Sequence, residues 1–207
     1  MDRREKIERL AQTPEDRVLL AKVYERIEAG RLREIPTNTG FLSQREQALA
    51  RQLLGELPGL HWFGGYEDAE RRRACYVPEY LDESSLFEAD GPAACIQGAF
   101  YEKDTVTHRD VLGALMGAGI ARETVGDILT QPGRCVFFTT AEIAPYVLQN
   151  LTAAGRTVLH LERIDLKQAV LPQAETKLLR DTMASLRLDN LVSSGFRIGR
   201  SLAAQHI

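Results

Sequence analysis

In the first third of the chain, apolar and polar positions recur with the period of helices. Ile7, Leu10 and Ala11, in phase with Arg4, mark a short first helix. A second follows, with Thr13 as its N-cap, Pro14 at its first position and Asp16 close behind. Its apolar face runs through Val18, Leu19, Val23 and Ile27 to a stop at Gly30. Residues 37–40 read as a loop. Ser43 with Glu46 makes a capping box that opens a third helix through Ala48, Leu49, Leu53 and Leu54, ended by Pro58 and Gly59. His61, Trp62 and Phe63 ahead of Gly64-Gly65 read as a strand entering a turn, and Ala74 to Val77 as its partner.

From Ala93 the pattern changes. Strands are predicted over 93–105, 124–130, 134–140 and 156–164, and helices over 108–119 and 141–154, with a Pro132-Gly133 turn between the middle strands. The order β-α-β-β-α-β is the split, ferredoxin-like arrangement that RNA-recognition domains share with many enzymes. Asp82 to Gly91, acidic and turn-rich, is the expected boundary before it. Beyond it, a helical stretch over Glu175–Met183 leads to two short helices around Gly195 and Phe196. The expectation is therefore an α+β chain of three parts: an N-terminal α/β domain (1–90), a central ferredoxin-like domain (91–170), and a linker with a small helical domain (171–207).

Composition narrows the class. The chain has 207 residues, 44% of them hydrophobic and 27% charged, which suits a globular core and not a disordered polypeptide. No apolar run approaches the ~20 residues of a membrane helix, and the start, MDRREKIERL, lacks the apolar centre of a secretory signal. Cys75, Cys95 and Cys135 are odd in number and far apart, so neither a disulfide framework nor zinc is expected, and a cytoplasmic setting follows. The net charge of −3 argues mildly against nucleic acid as a partner, which moves attention to local clusters.

The densest such cluster is Arg71, Arg72 and Arg73, flanked by Trp62, Tyr66 and Tyr76. It reads either as a solvated connection or as a phosphate-facing edge with aromatics for base stacking. His108-Arg109-Asp110 has the look of a kinase catalytic loop, but that loop needs an Asn where Leu115 stands. His108 and Arg109 at a helix start are instead candidate donors to phosphate or ribose, and Asp110 suits the first turn of a helix. Arg122 is a further candidate contact, and Asp127 is expected to pair with Arg109 or Arg122. Gly113, Ala114 and Gly117 make no nucleotide-binding fingerprint and are expected to let the helix pack closely on its sheet. The four histidines (His61, His108, His160, His206) share no metal-ligand spacing, and no cofactor is indicated.

Three separated stretches, FLSQREQALA, FGGYEDAERRRA and HRDVLGALMGAGIARETVGDIL, together resemble the bacterial YlmH family, RNA-binding proteins with a C-terminal domain of the S-four type, named after a small-subunit ribosomal protein. The tail resembles that domain in Arg187-Leu188-Asp189-Asn190, Gly195-Phe196, Arg200-Ser201 and Ala203-Ala204, and its match covers the domain's first half. The resemblance implies an RNA face formed by Arg187, Arg197, Arg200 and Ser201.

It also implies a non-catalytic protein that binds structured RNA, ribosomal or transfer, on the large ribosomal subunit, with a place in ribosome-associated quality control. Neither DNA nor a membrane is an expected partner. Two other readings stay open: an accessory to an RNA-modifying enzyme, which the order of the domains disfavours, and a scaffold that recruits protein through exposed β-edges.

Overall fold

The computed structural model describes residues 3–171, 178–183, 185–205 and 207. His206 and residues 175–177 of the expected helix lie outside that range, and residues 178–183 carry no helix. Contacts divide the chain into two units, Met1–Pro172 and Gln173–Ile207.

Unit 1 begins with α1 (Arg3–Leu10), α2 (Pro14–Arg33), β1 (Thr37–Asn38), α3 (Gln44–Leu54), β2 (Leu60–Phe63) and β3 (Arg73–Tyr76). Thr13 with Asp16 and Ser43 with Glu46 both close full capping boxes, as the spacing predicts. Helix α2 overruns Gly30 and ends at Glu34, in the left-handed region with φ 52°. Gly30 serves packing instead: a Cβ there would lie 1.9 Å from Thr37 Oγ1. The expected loop at 37–40 begins as β1, which pairs antiparallel with β3 in a sheet of order β1-β3-β2.

The second half of the unit holds β4 (Ala93–Ala99), α4 (His108–Gly117), β5 (Val125–Gln131), β6 (Arg134–Thr140), α5 (Ala144–Asn150), β7 (Ala153–Ala154), β8 (Thr157–Val158) and β9 (His160–Ile164). Its four-stranded sheet, β5-β6-β4-β9, is antiparallel throughout. This is the split βαββαβ order, with the expected last strand divided into β8 and β9, and the end of the expected helix at 141–154 forming β7, which pairs with β8 as a hairpin.

Strand β6 shows how the two halves join. Its run Cys135-Val136-Phe137-Phe138 is buried at every position, because both faces of the sheet are covered. Cys135 and Phe137 pack with Val111 and Leu115 of α4 and Val147 of α5. Val136 and Phe138 pack with Phe41, Phe63, Cys75 and Val77 from the N-terminal half. The far side of the first sheet, through Ala74 and Tyr76, packs on Ile27 of α2. The result is four layers, α-β-β-α, and residues 1–90 and 91–170 are one unit.

The expected boundary at Asp82–Gly91 is tucked into that join. It holds a 3₁₀ turn at Glu83–Phe87 whose Leu86 is buried in the shared core, while Phe87 meets Phe63 edge-on at 4.8 Å. A polar segment carrying one well-placed apolar pair looks like a linker in sequence.

Unit 2 contains α6 (Leu188–Phe196) and α7 (Arg200–Ala203), the two short helices expected around Gly195 and Phe196. Its apolar residues are mostly exposed, Leu186 at 92% and Phe196 at 76%, with Ala203 buried.

Candidate nucleic-acid interface

Strand β3 and the loop before it fix the fate of the arginine cluster. Arg73 is buried, 4% exposed. Its Nε donates to the Thr39 carbonyl at 2.5 Å, another nitrogen donates to the Pro92 carbonyl, and the guanidinium lies over the Phe41 ring. Arg71 is half-buried and donates to the carbonyls of Val125 (3.0 Å) and Phe41 (2.9 Å). Arg72 donates to the carbonyls of Ala69 (2.7 Å) and Glu67 (2.5 Å). Burial pulls the Arg71 and Arg73 pKa values down. The expected phosphate-facing edge is thus turned inward, where fixed carbonyls take the place of phosphate oxygens.

The aromatics that flank it are also engaged. Tyr66 stacks on Phe138 with ring centroids 5.1 Å apart, Tyr76 is buried, and Trp62 lies under Arg51 at 4.1 Å.

Asp127 explains why this loop is held so firmly. Its carboxylate accepts from Tyr66 Oη at 2.8 Å, from the Glu70 N–H at 2.7 Å and from the Arg71 N–H at 3.0 Å. Burial and the hydrogen bond to Asp127 push the Tyr66 phenol pKa up. The two motifs FGGYEDAERRRA and HRDVLGALMGAGIARETVGDIL therefore meet at one carboxylate. Asp127 is structural, but its hydrogen-bond partners are this loop and not Arg109 or Arg122. Arg122 is half-buried and donates to the Val125 carbonyl at 2.6 Å.

The start of α4 is arranged differently. Thr107 caps the helix and Asp110 completes the box, its carboxylate accepting from the Thr107 N–H at 2.9 Å and Oγ1 at 2.6 Å. These bonds, with Arg109 nearby, hold the Asp110 carboxyl below the usual carboxylate range. His108 and Arg109 remain exposed. The β7–β8 hairpin tip comes to the same place: a Cβ on Gly155 would lie 3.3 Å from Asp110 Oδ1. That brings exposed Arg156 beside the α4 N-terminus. In the loop leading to α4, Lys103 lies 5.6 Å from the ring of Tyr101, which is 75% exposed. Arg156 escaped the sequence reading because only the fold brings the hairpin tip to this helix; Tyr101 and Lys103 fell inside the strand expected over 93–105, which ends at Ala99. Gly113 and Gly117 do not serve close packing on the sheet, since a Cβ on either would meet open space.

In unit 2, Asp189 gathers two of the predicted arginines. Arg187 Nε lies 3.1 Å from Oδ1 and Arg200 Nε 2.7 Å from Oδ2. The hydrogen bond from Arg200, then that from Arg187, holds the Asp189 carboxyl below its usual range. Both arginine side chains stay more than half exposed, with donors left over for a second acceptor. Arg197 ends α6 in the left-handed region, and Ser201 is exposed on α7. All four predicted tail residues therefore reach solvent.

The cysteines are unreactive by environment. Burial pushes the Cys75 and Cys95 thiols up to about 12 and Cys135 to about 11. Among the described residues, no group of three or more His, Cys, Asp or Glu side chains is arranged to hold a metal ion.

Residues 100–168 match a family model described as "Putative RNA-binding domain in YlmH". Over 164 residues, 78% of this chain, the sequence is 38% identical to ribosome-associated protein quality control protein P2 from Bacillus subtilis. The match spans 63% of that relative, less than two thirds of its length. The fold resembles that of cell division protein ylmH from Streptococcus pneumoniae, with a TM-score of 0.61 at 21% identity, covering 77% of this chain and 97% of that one.

Proposed function

The chain belongs to the YlmH family, and on that premise we propose that it is an RNA-binding protein that works at the ribosome. The observation that carries this reading is the α4 end of the ferredoxin-like half. There, within the segment matching the RNA-binding family model, Lys103, Arg109 and Arg156 are exposed beside His108 and make no hydrogen bond or ion pair among the described residues. Exposed lysine and arginine side chains that no ion pair holds are free to displace counterions from a phosphate backbone. The exposed Arg187, Arg197 and Arg200 of unit 2 supply a second cationic surface, with Arg187 and Arg200 bridged to Asp189 and still holding donors for a further acceptor.

The RNA is ribosomal or transfer RNA on the large subunit, and the setting is quality control, in keeping with the name of the Bacillus relative. The role is binding without a reaction, and no cofactor takes part. In support, the basic candidates are spent on protein carbonyls or aimed at solvent, and the buried thiols are protonated at neutral pH.

Co-sedimentation with large ribosomal subunits at low and high salt tests the proposal. The expected result is association at low salt, lost as salt rises, and weakened by Arg109→Glu with Arg156→Glu. Absence of association at any salt would reject the reading.

A further inference from the structure

One cavity of unit 1 lies apart from the α4 N-terminus and is lined by different residues. It is a groove of about 1130 Å³ along α2, closed on its other side by the 38–42 loop and by residues 123–124 and 140–142. That is ample for several side chains of a ligand. Val18, Leu19, Val23 and Leu42 supply an apolar floor toward the α2 N-terminus, with Val18 56% exposed. Glu15, Glu46 and Glu123 line the same end beside Lys22, with Glu46 Oε2 already accepting from the Ser43 N–H and hydroxyl and its other oxygen left over. At the other end, the basic side chains are already engaged. Arg26 donates to the Asn38 carbonyl at 3.2 Å, and Arg73 to Thr39 and Pro92.

We propose that this groove binds a basic amphipathic segment of a protein partner, with aliphatic side chains on the Val18–Leu42 floor and Lys or Arg side chains on Glu15, Glu46 and Glu123. The apolar floor needs a ligand that gains from leaving water, and RNA backbone does not. The carboxylate excess repels phosphate and attracts cations. Surface apolar area bordered by charged groups of one sign is the pattern of a protein-docking site. The inference stands apart from the RNA-binding proposal, because it uses a different surface and the opposite charge.

The test uses the full chain and a fluorescent 18-residue Leu/Lys peptide of helical periodicity, read by anisotropy. A Leu/Glu peptide of the same pattern and a lysine peptide of equal charge without leucine serve as comparisons. The expected result is saturable binding of the Leu/Lys peptide alone. It should fall at least tenfold in Val18→Asp and in Glu15→Lys with Glu123→Lys, and stay unchanged in Leu32→Asp, an exposed α2 position outside the groove. Thermal melts check that each variant is folded, and the glutamate pair reads the site independently if Val18→Asp is not.

Four outcomes overturn the proposal. The peptide binds folded Val18→Asp as well as wild type, or the lysine peptide binds equally. A transfer-RNA transcript loses affinity in Val18→Asp, which would make the groove an RNA surface. Or the chain dimerises in sedimentation equilibrium and Val18→Asp makes it monomeric, in which case a second copy covers the groove.

Discussion

Two groups of three arginines end in opposite environments. Arg71, Arg72 and Arg73 are consecutive, yet their guanidinium groups are spent on carbonyls at 39, 41, 67, 69, 92 and 125. Arg187, Arg197 and Arg200 are spread along the tail and reach solvent, two of them around Asp189. The difference lies in what surrounds each backbone. Strand β3, which starts at Arg73, is the centre of a three-stranded sheet with layers on both sides, so Arg73 goes inward and needs fixed acceptors. The loop carrying Arg71 and Arg72 is held against the second sheet by Asp127. Helices α6 and α7 bury little beyond Ala203 and leave their polar side chains free. Local density of positive charge is a weaker guide to an RNA surface than the number of layers covering the element that carries it.

Breaking the inward group should have the largest effect. Asp127→Ala leaves three donors of the 66–71 loop without their acceptor. Unsatisfied buried groups cost about 1–3 kcal/mol each, and these donors are only part-buried, so a urea melt should show a loss of about 3 kcal/mol, the low end for three groups. Gly65→Ala comes next. Gly65 has φ 97° and approaches Phe138 so closely that a Cβ would lie 2.4 Å from the ring. Strain and overpacking together predict about 2–3 kcal/mol lost.

The outward group should respond in binding alone. Arg187→Ala with Arg200→Ala changes stability by less than about 0.5 kcal/mol, as exposed substitutions do. Acid titration gives the smallest effect. The hydrogen bond from Arg45 holds the Asp16 carboxyl below its ordinary value of 3.8. A depressed folded pKa stabilises fully above the unfolded value, and the contribution is lost as pH falls through the folded one. The stability difference between wild type and Asp16→Asn should therefore be constant from neutral pH down to about 4 and shrink below it.

Much of the fold was legible. Thr13-Pro14 and Ser43–Glu46 announced their helices through capping chemistry, and the βαββαβ order followed from where the periodicity changed. What the pattern did not carry was contact between distant segments. Nothing near Asp127 in sequence points to Tyr66, Glu70 and Arg71, and the strand at Thr37–Asn38 is too short for a period to show. The sheet face that carries Phe138 is covered by Phe41 and Phe63, so an arrangement known for presenting that face is closed over much of it here. Of the candidate site, His108 and Arg109 were readable because a helix start announces itself locally, and the tail residues through the resemblance of their motif. Arg156 was not, since only the hairpin fold brings it to α4.

The most direct test of the contrast is the salt dependence of binding to a transfer-RNA transcript, compared between Arg187→Ala/Arg200→Ala and Arg72→Gln. Each phosphate contact contributes about −0.7 to −0.9 to the slope of log K against log salt. Removing the two tail arginines should make the slope shallower by about 1.4–1.8, whereas folded Arg72→Gln should keep the wild-type slope. An unchanged slope in the tail variant, or a shallower one in folded Arg72→Gln, would contradict the account.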